Sequence, residues 1–281
     1  GFMLRRIGWR PLFLVGFFAP ILAILTLALK LPESARWLAA RCNTDKKKAS
    51  LVQLLRRIQP RIQIGADSRF VSADSDKVKS STQELFSGRL VWVTPVVWSY
   101  YLISSIAVFF IGSWAPQLLV VKGFTASTAA FITGTNGILV AIGCLLSGFY
   151  FDKVGFRWGA VLYIISTACV VFMGGLGPIG FIALLFASAF FINSGHMDVT
   201  ILAPIVYPPN CRNQGAGTAI AVGRIGAMTG PYLGGKLLAT QLPMATMLAL
   251  LSIPLLISAA LCYIAGRQYD FHFAPLYSGK R

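Results

Sequence analysis

The sequence has 281 residues, of which 56% are apolar or aromatic and only 12% are charged, and its mean hydropathy is +0.70. A soluble domain carries about a quarter charged residues, so this composition excludes a soluble globular protein and predicts an integral membrane protein. The net charge of +16 does not indicate a nucleic-acid partner, because six of the nine acidic residues and twelve of the 25 basic residues lie together between residues 31 and 89.

Seven stretches are apolar over the roughly 20 residues that a helix needs to cross a bilayer. They cover residues 11–30, 90–112, 125–150, 159–177, 179–203, 214–238 and 243–266. Basic residues collect in the loop 31–89, the turn 152–157, the turn around Arg212 and the tail 267–281. Because cytoplasmic loops are rich in Lys and Arg, we expect 31–89 to be a cytoplasmic central loop and the tail to be cytoplasmic. Residues 90–266 are predicted to form a six-helix transmembrane bundle.

Three short patterns accompany these spans. The first, LPESARWL, follows the first span and contains Pro32, Glu33, Ser34 and Arg36. The second, GFYFDKVGFR, joins the third and fourth spans and contains Gly148, Asp152, Lys153, Gly155 and Arg157. The third, GRIGAMTGPYLGG, lies within the sixth span.

In this order and spacing the three patterns resemble the major facilitator superfamily, from its sixth through its twelfth helix. The segments IGWRPLFLVG, SWAPQLLVVKGF, YPPNCRNQGAG and GRIGAMTGP look most like the aromatic acid:proton symporters. The resemblance implies an all-α integral membrane protein in which residues 1–30 form the last helix of the N-terminal half. Since the chain begins with Gly1 and its first apolar run is without the small-residue cleavage site of a signal peptide, we expect it to be part of a longer transporter, with the N-terminal half as its partner.

The second and third patterns have physical interpretations of their own. Glycines at 148 and 155 permit close approach of a helix end and a loop. Asp152 can cap a helix or pair with Arg157 as a cytoplasmic latch, although a plain basic turn would also explain the motif. Lys153 stands where the family usually has Arg, and Phe156 stands at a commonly basic position, so the latch is expected to be weaker. In the sixth span, the glycines predict close helix packing, either static or combined with a bend at Pro231.

Ionisable residues inside membrane spans are costly and usually functional, and NSGHMDVT places two of them in the fifth span. Asp198 is the one carboxylate within any predicted span. At ~1.5 Å rise per residue, Arg224 lies at about the same depth as this segment, so an Asp198–Arg224 ion pair is predicted. At about 100° per residue, Asn193, His196 and Thr200 share one helix face and Asp198 lies on another. Two faces, and therefore two roles, are expected.

The resemblance assigns the Asn193, His196 and Thr200 face to the substrate pathway, because these symporters usually carry Gln at the position of His196. They usually carry Gly at the position of Asp198, which is a departure. The resemblance also implies important arginines at Arg224, as a substrate anchor, and at Arg212. His196 could instead be a neutral packing residue and Arg224 part of a structural ion pair. Further candidates for the substrate and proton pathway are Trp98, Tyr101, Ser105, Thr133 and Asn136; the aromatic residues could alternatively belong to an interfacial belt.

The expected function is proton-coupled uptake of a small organic anion, such as a benzoate derivative, by a secondary transporter. Its partners would be the anion, protons and the lipid bilayer. The alternatives are a sugar or other metabolite porter of the same superfamily and a non-transporting membrane fragment. An enzyme is not expected, because the two histidines and five cysteines form no catalytic or metal-ligand spacing. For the same reason no cofactor or metal is expected, and the cysteines are predicted to be free thiols.

Overall fold

The computed structural model describes residues 10–31, 33, 38–39, 45–58, 82–208 and 211–272, and within this part the regular elements are all helical. The α-helices whose bounds lie within these residues are α1 (Arg10–Lys30), α2 (Asp45–Ile58), α3 (Leu90–Val121), α4 (Ala126–Val154), α5 (Trp158–Met173), α6 (Pro178–Val206), α7 (Arg212–Ala239) and α8 (Met244–His272). A short 3-10 helix, Thr82–Phe86, precedes α3. Each of the seven predicted spans falls on one of these helices, which confirms the all-α fold class.

Four helices, namely α3, α4, α6 and α8, are long and apolar enough to cross a membrane. Two shorter apolar helices, Gly16–Lys30 and Trp158–Met173, correspond to the first and fourth predicted spans. The 28 residues of α7 are less apolar on average, because the helix combines its glycines with Arg212, Arg224 and Lys236. The predicted span 214–238 is therefore a helix, but among the described helices it is not one whose composition alone suits a membrane crossing.

The chain divides into two compact units, Gly1–Lys79 and Ser80–Arg281. In the first unit, the apolar side chains described along α1 are exposed, whereas in α2 the side chain of Leu51 is buried. Of the first motif, Glu33 is exposed, and Pro32, Ser34 and Arg36 lie outside the described residues. Cys42 also lies outside them.

In the second unit, α3 and α6 are the central helices of a six-helix bundle. Helix α3 packs against α4, α6, α7 and α8, and α6 packs against every other helix of the bundle. The bundle begins before α3, since Leu85 is fully buried in its core and its carbonyl accepts a hydrogen bond of 2.7 Å from the Thr94 hydroxyl. At the other end, α8 continues to His272, past residue 266.

Four glycines of α7 lie on one helix face and bring its backbone against α3. A Cβ at Gly226 would overlap the carbonyl oxygen of Leu102, and a Cβ at Gly230 would lie 2.6 Å from the carbonyl oxygen of Ile106. A side chain at Gly223 or Gly234 would likewise overlap the ring of Tyr101 or Trp114. The prediction of close packing is confirmed. Trp114 belongs to this interface, because its indole nitrogen donates to the Pro231 carbonyl at 2.9 Å.

The turn between α4 and α5 differs from the predicted latch. No ion pair joins Asp152 to Arg157; the Arg157 Nε instead lies 2.8 Å from Asp270 Oδ2. This pairing is possible because α8 runs on to the turn, where a Cβ at Gly266 would lie only 2.9 Å from the Arg157 nitrogen. Gly155 ends α4 at a positive φ of 85°, which glycine adopts without strain. An added Cβ would meet nothing at either Gly148 or Gly155, so the close approach predicted at these two glycines is absent from this unit.

Candidate functional site

The polar segment of α6 presents two faces to different surroundings, as its helical spacing predicts. Asn193, His196 and Thr200 are half-buried on one side. Asp198 is fully buried on the other. Burying an ionisable group completely is costly unless it is hydrogen-bonded, so the two faces differ in what each requires of its neighbours.

The half-buried face is joined to α3 by polar contacts. The Nδ1 atom of His196 lies 2.9 Å from the hydroxyl of Ser104. The hydroxyls of Tyr101 and Thr200 lie 3.2 Å apart, and the rings of Tyr101 and His196 meet edge to face at 5.3 Å between centroids. Asn193 differs from its neighbours, because its amide donates to the Ala189 carbonyl of its own helix at 2.8 Å. The structure therefore brings Tyr101, His196 and Thr200 together.

The buried face holds Asp198 among three other helices. Its Oδ2 accepts a hydrogen bond of 2.8 Å from the Cys262 thiol of α8 and a longer one of 3.4 Å from the Tyr100 hydroxyl of α3. Tyr100 also donates to the Gly195 carbonyl at 2.9 Å. From α5, only glycine fits beside this group, since a Cβ at Gly159 would lie 2.7 Å from both Asp198 Oδ2 and Cys262 Sγ. The other carboxyl oxygen, Oδ1, has no hydrogen-bond partner.

The predicted ion pair between Asp198 and Arg224 is not formed. Arg224 is exposed, and Asp198 is bonded to Cys262 and Tyr100 instead. Asp198 and Arg224 do lie at a similar depth in the bundle. The Tyr101 hydroxyl contacts Thr200, two residues after Asp198, and the Tyr101 ring packs on Gly223, which precedes Arg224. The prediction was wrong about the directions in which the two side chains point. Asp198 points toward α3, α5 and α8. Helix α7 packs against α3 and α6, and Arg224 lies on the side of α7 that faces away from them.

The remaining candidates are spread over the bundle. Ser105 is buried against Gly226 of α7, and it is the adjacent Ser104 that contacts His196. Trp98 is half-buried with its ring edge against Phe86, and its indole nitrogen has no hydrogen-bond partner. On α4, the remaining two candidates do not contact the α6 groups: the hydroxyl of Thr133 bonds its own helix, and the side-chain oxygen of Asn136 is buried without a partner.

The charged candidates near the turns between helices are peripheral to this polar segment. Arg212 begins α7, and its Nε donates to the Tyr207 carbonyl at 3.3 Å. Asp152 and Lys153 are exposed in the last turn of α4. Their part in gating stays a prediction.

The sequence interpretation missed four residues around this segment, namely Tyr100, Ser104, Tyr163 and Cys262. Tyr100 and Ser104 are spaced i, i+4 on α3, which is a signal that could have found them as one polar face. Cys262 carried no such signal, because it lies in an apolar run.

The cysteines that the structure describes, Cys144, Cys169, Cys211 and Cys262, are free thiols, as predicted. Cys262 is nevertheless more than a small apolar residue, since its thiol bonds Asp198. In the turn between α6 and α7, burial raises the pKa of the Cys211 thiol, so this cysteine is expected to stay protonated and unreactive.

The helical bundle with glycine-mediated packing and buried polar residues defines a multi-pass membrane protein, and comparison with known families gives its class. The profile described as "Major Facilitator Superfamily" matches residues 1–203, and the chain belongs to this superfamily.

Three of its relatives are named as transporters of aromatic acids. The chain is 29% identical over 273 residues to the gallate transporter of Pseudomonas putida, covering 95% of this chain and 59% of the relative. It is 27% identical over 274 residues to the 4-hydroxybenzoate transporter PcaK of Acinetobacter baylyi, covering 93% and 58%. It is 26% identical over 275 residues to the benzoate transport protein of the same organism, covering 96% and 58%. The chain thus spans less than two thirds of the length of these relatives.

Proposed function

We propose that this chain is part of a secondary transporter that takes up a small aromatic acid together with protons. The observation that carries the proposal is the match of more than nine tenths of the chain to transporters of gallate, 4-hydroxybenzoate and benzoate. These relatives are transporters rather than enzymes. The hypothesis of a sugar porter is less well supported, because it rests only on the LPESARWL motif.

The α3–α6 interface offers groups that suit such a substrate. The buried ring of Tyr101 and the half-buried ring of His196 can contact an aromatic ring edge to face. The adjacent hydroxyls of Ser104 and Thr200 can bond ring substituents or a carboxylate. Arg224 lies at the same depth and is exposed, so in our proposal its guanidinium is the anchor for the substrate carboxylate.

The six helices α3 to α8 would then act as one half of a rocking pair, with the N-terminal half of the transporter as the other. Alternating access in this class arises largely from rigid-body motion of one bundle against the other around a central site. The α3–α7 contact, made backbone to backbone, suits a bundle that moves as a unit. In our proposal the loop 31–89 and the C-terminus face the cytoplasm, as the distribution of basic residues indicates.

Uptake of labelled substrates tests this proposal. The complete natural reading frame that contains this sequence is expressed in cells lacking their own aromatic-acid transporters, and labelled benzoate, 4-hydroxybenzoate, gallate and a hexose are supplied. We expect uptake of at least one aromatic acid, stimulated by an inward proton gradient and abolished by an uncoupler. Uptake of the hexose alone would contradict the proposal, and so would uptake of an acid that is indifferent to the gradient.

The Arg224 anchor has a matched control on the same helix. Arg224→Gln is expected to raise the KM for the aromatic acid by about tenfold to a hundredfold, because a charge-assisted hydrogen bond is worth ~1.5–3 kcal/mol. Lys236→Gln removes an equal charge from α7 but should leave KM unchanged, since Lys236 lies over the Tyr232 ring near the helix end. Equal KM values for the two variants would remove Arg224 from the binding site.

A further inference from the structure

We propose that Tyr100, Tyr163 and Ser104 form a proton relay that joins the buried carboxyl of Asp198 to the half-buried imidazole of His196. The relay crosses from one face of α6 to the other through side chains of α3 and α5. It adds to the proposed function a route within the protein for the coupled proton. It rests on the proposed function only in the statement that transport uses this proton.

The first link of the relay joins Asp198 to Tyr100. Their contact is 3.4 Å long, and the carboxyl has its second oxygen, Oδ1, without a partner. Cys262 holds Oδ2 at 2.8 Å from the other side. A carboxylate in this site has a single strong donor and no neighbouring positive charge, whereas a carboxylic acid could also donate a hydrogen bond. The site therefore suits a group that gains and loses a proton.

The middle link is Tyr163 of α5. Its ring meets the Tyr100 ring edge to face at 6.0 Å and is fully buried. Its hydroxyl is buried without a hydrogen-bond partner and lies in the neighbourhood of the Tyr100 and Ser104 hydroxyls. A Cβ at Gly195 would lie 2.8 Å from this ring, so glycine is needed there for Tyr163 to reach the middle of the bundle. Buried hydroxyls are normally hydrogen-bonded, and one left between two others can rotate to bond either.

The last link joins Ser104 to His196, whose Nδ1 lies 2.9 Å from the Ser104 hydroxyl. Whether Nδ1 donates or accepts depends on the histidine tautomer, so the contact serves proton movement in either direction. His196 is half-buried and thus reaches the face assigned to the substrate pathway. The relay therefore has one buried end and one end close to the open face of α6.

The transfer balances without any other reactant. The Asp198 O–H bond breaks as its proton moves to the Tyr100 oxygen, and the Tyr100 proton moves to Tyr163. The Tyr163 proton then moves to Ser104, and the Ser104 proton binds His196 Nδ1. All three hydroxyls are restored, Asp198 becomes a carboxylate and His196 an imidazolium.

The titratable groups that surround the two ends are few. Asp198 faces Tyr100 from α3, Tyr163 from α5 and Cys262 from α8, and none of these carries a positive charge. His196 faces the ring of Tyr101 and the hydroxyl of Ser104 from α3. Among the described residues, no Lys or Arg contacts either end, so protons rather than ion pairs must balance their charges.

Infrared spectroscopy of the protein encoded by the complete natural reading frame, reconstituted in liposomes, tests the relay without any substrate. The carbonyl band of protonated Asp198 is identified by its loss in Asp198→Asn, and its isotope shift is timed after transfer to heavy water. Tyr163→Phe and Ser104→Ala each break the relay and should slow this exchange by at least about tenfold, since a positioned proton-transfer group contributes ~10²–10⁴-fold. Each variant is first shown to keep the thermal stability of the folded protein.

Two control variants each lose a hydroxyl group, one from a tyrosine and one from a serine, at positions outside the relay. Tyr207→Phe removes another buried hydroxyl that has no hydrogen-bond partner, and Ser188→Ala removes a buried serine hydroxyl of α6. In both control variants the Asp198 proton should exchange within about twofold of the parent rate. That change is far smaller than the ~10²–10⁴-fold contribution of a proton-transfer group. Equal rates in all variants would overturn the relay, as would the absence of a protonated Asp198 band. Failure of aromatic-acid uptake would overturn the proposed function alone, because this measurement involves no transport.

Discussion

The interfaces that helix α3 makes with α7 and with α6 differ in kind. Toward α7, its carbonyl oxygens lie directly against glycines, and the contact contains little that could rearrange. Toward α6, it presents Tyr100, Tyr101 and Ser104, whose polar groups contact Asp198, Thr200 and His196 over distances of 2.9–3.4 Å.

The difference separates a rigid contact from an adjustable one. Close-packed backbones cannot shift by small steps without steric overlap, whereas hydroxyl groups can exchange partners by rotating about one bond. We therefore expect α3 and α7 to move together, and we expect changes of protonation to be felt between α3 and α6. Substitutions at each interface of α3 can therefore distinguish a rigid contact with α7 from an adjustable contact with α6.

Replacement of His196 tests the adjustable interface. His196→Gln keeps a group that can bond Ser104 but cannot carry the proton, so proton-driven uptake by the complete reading frame should fall by about a hundredfold. Exchange of labelled for unlabelled substrate without a gradient should persist. Because Gln is close to His in size and polarity, the substitution is expected to fold. Undiminished proton-driven uptake would remove His196 from coupling.

Replacement of Gly226 tests the rigid interface. A methyl group there would overlap the Leu102 carbonyl, so Gly226→Ala should lower the free energy of unfolding by about 2–3 kcal/mol through overpacking. Gly217→Ala is the control on the same helix, because a Cβ at Gly217 meets nothing. It should be neutral, or stabilising by up to ~1 kcal/mol, since alanine has the higher helix propensity. Detergent-titration unfolding curves measure both, and equal stabilities would show that α7 can move away from α3.

Double-mutant cycles measure which residue interacts with Asp198. Asp198→Ala and Cys262→Ala should be coupled by about 1 kcal/mol, because each removes the same hydrogen bond. Asp198→Ala and Arg224→Gln should be additive within ~0.5 kcal/mol, because the two residues share no partner. Unfolding free energies of the three single and two double variants, compared with the parent, decide between these outcomes. Coupling to Arg224 and not to Cys262 would restore the ion pair that the sequence predicted.

That failed ion pair shows what the sequence could determine. Hydropathy located the spans, and helical spacing separated His196 from Asp198, because both depend on the local chain alone. Counting residues from the α6–α7 turn placed Arg224 at a suitable depth. The orientation of α7 about its axis depends on which face can approach α3, and that is decided by the glycines at 223, 226, 230 and 234.

The same argument explains the missed residues. Cys262 and Tyr163 contribute to the Asp198 cluster only because α5 and α8 pack beside α6, which is a property of the whole bundle. Their spacing within their own helices carries no signal. Ser104 and Ser105 are adjacent in the sequence, and only the packing of α7 on Ser105 leaves Ser104 to contact His196.

The smallest effect is expected where α8 meets the turn before α5. The side chains of Arg157 and Asp270 are 46% and 40% exposed, so their ion pair is screened by solvent and should contribute only ~0.2–1 kcal/mol. Asp270→Asn should therefore reduce the unfolding free energy slightly, and the reduction should vanish at high salt. Asp152→Asn removes an equal charge nearby and should leave stability unchanged at any salt concentration. If the Asp152 variant were the destabilised one, Asp152 would be the partner of Arg157, and the latch within the GFYFDKVGFR turn would be restored.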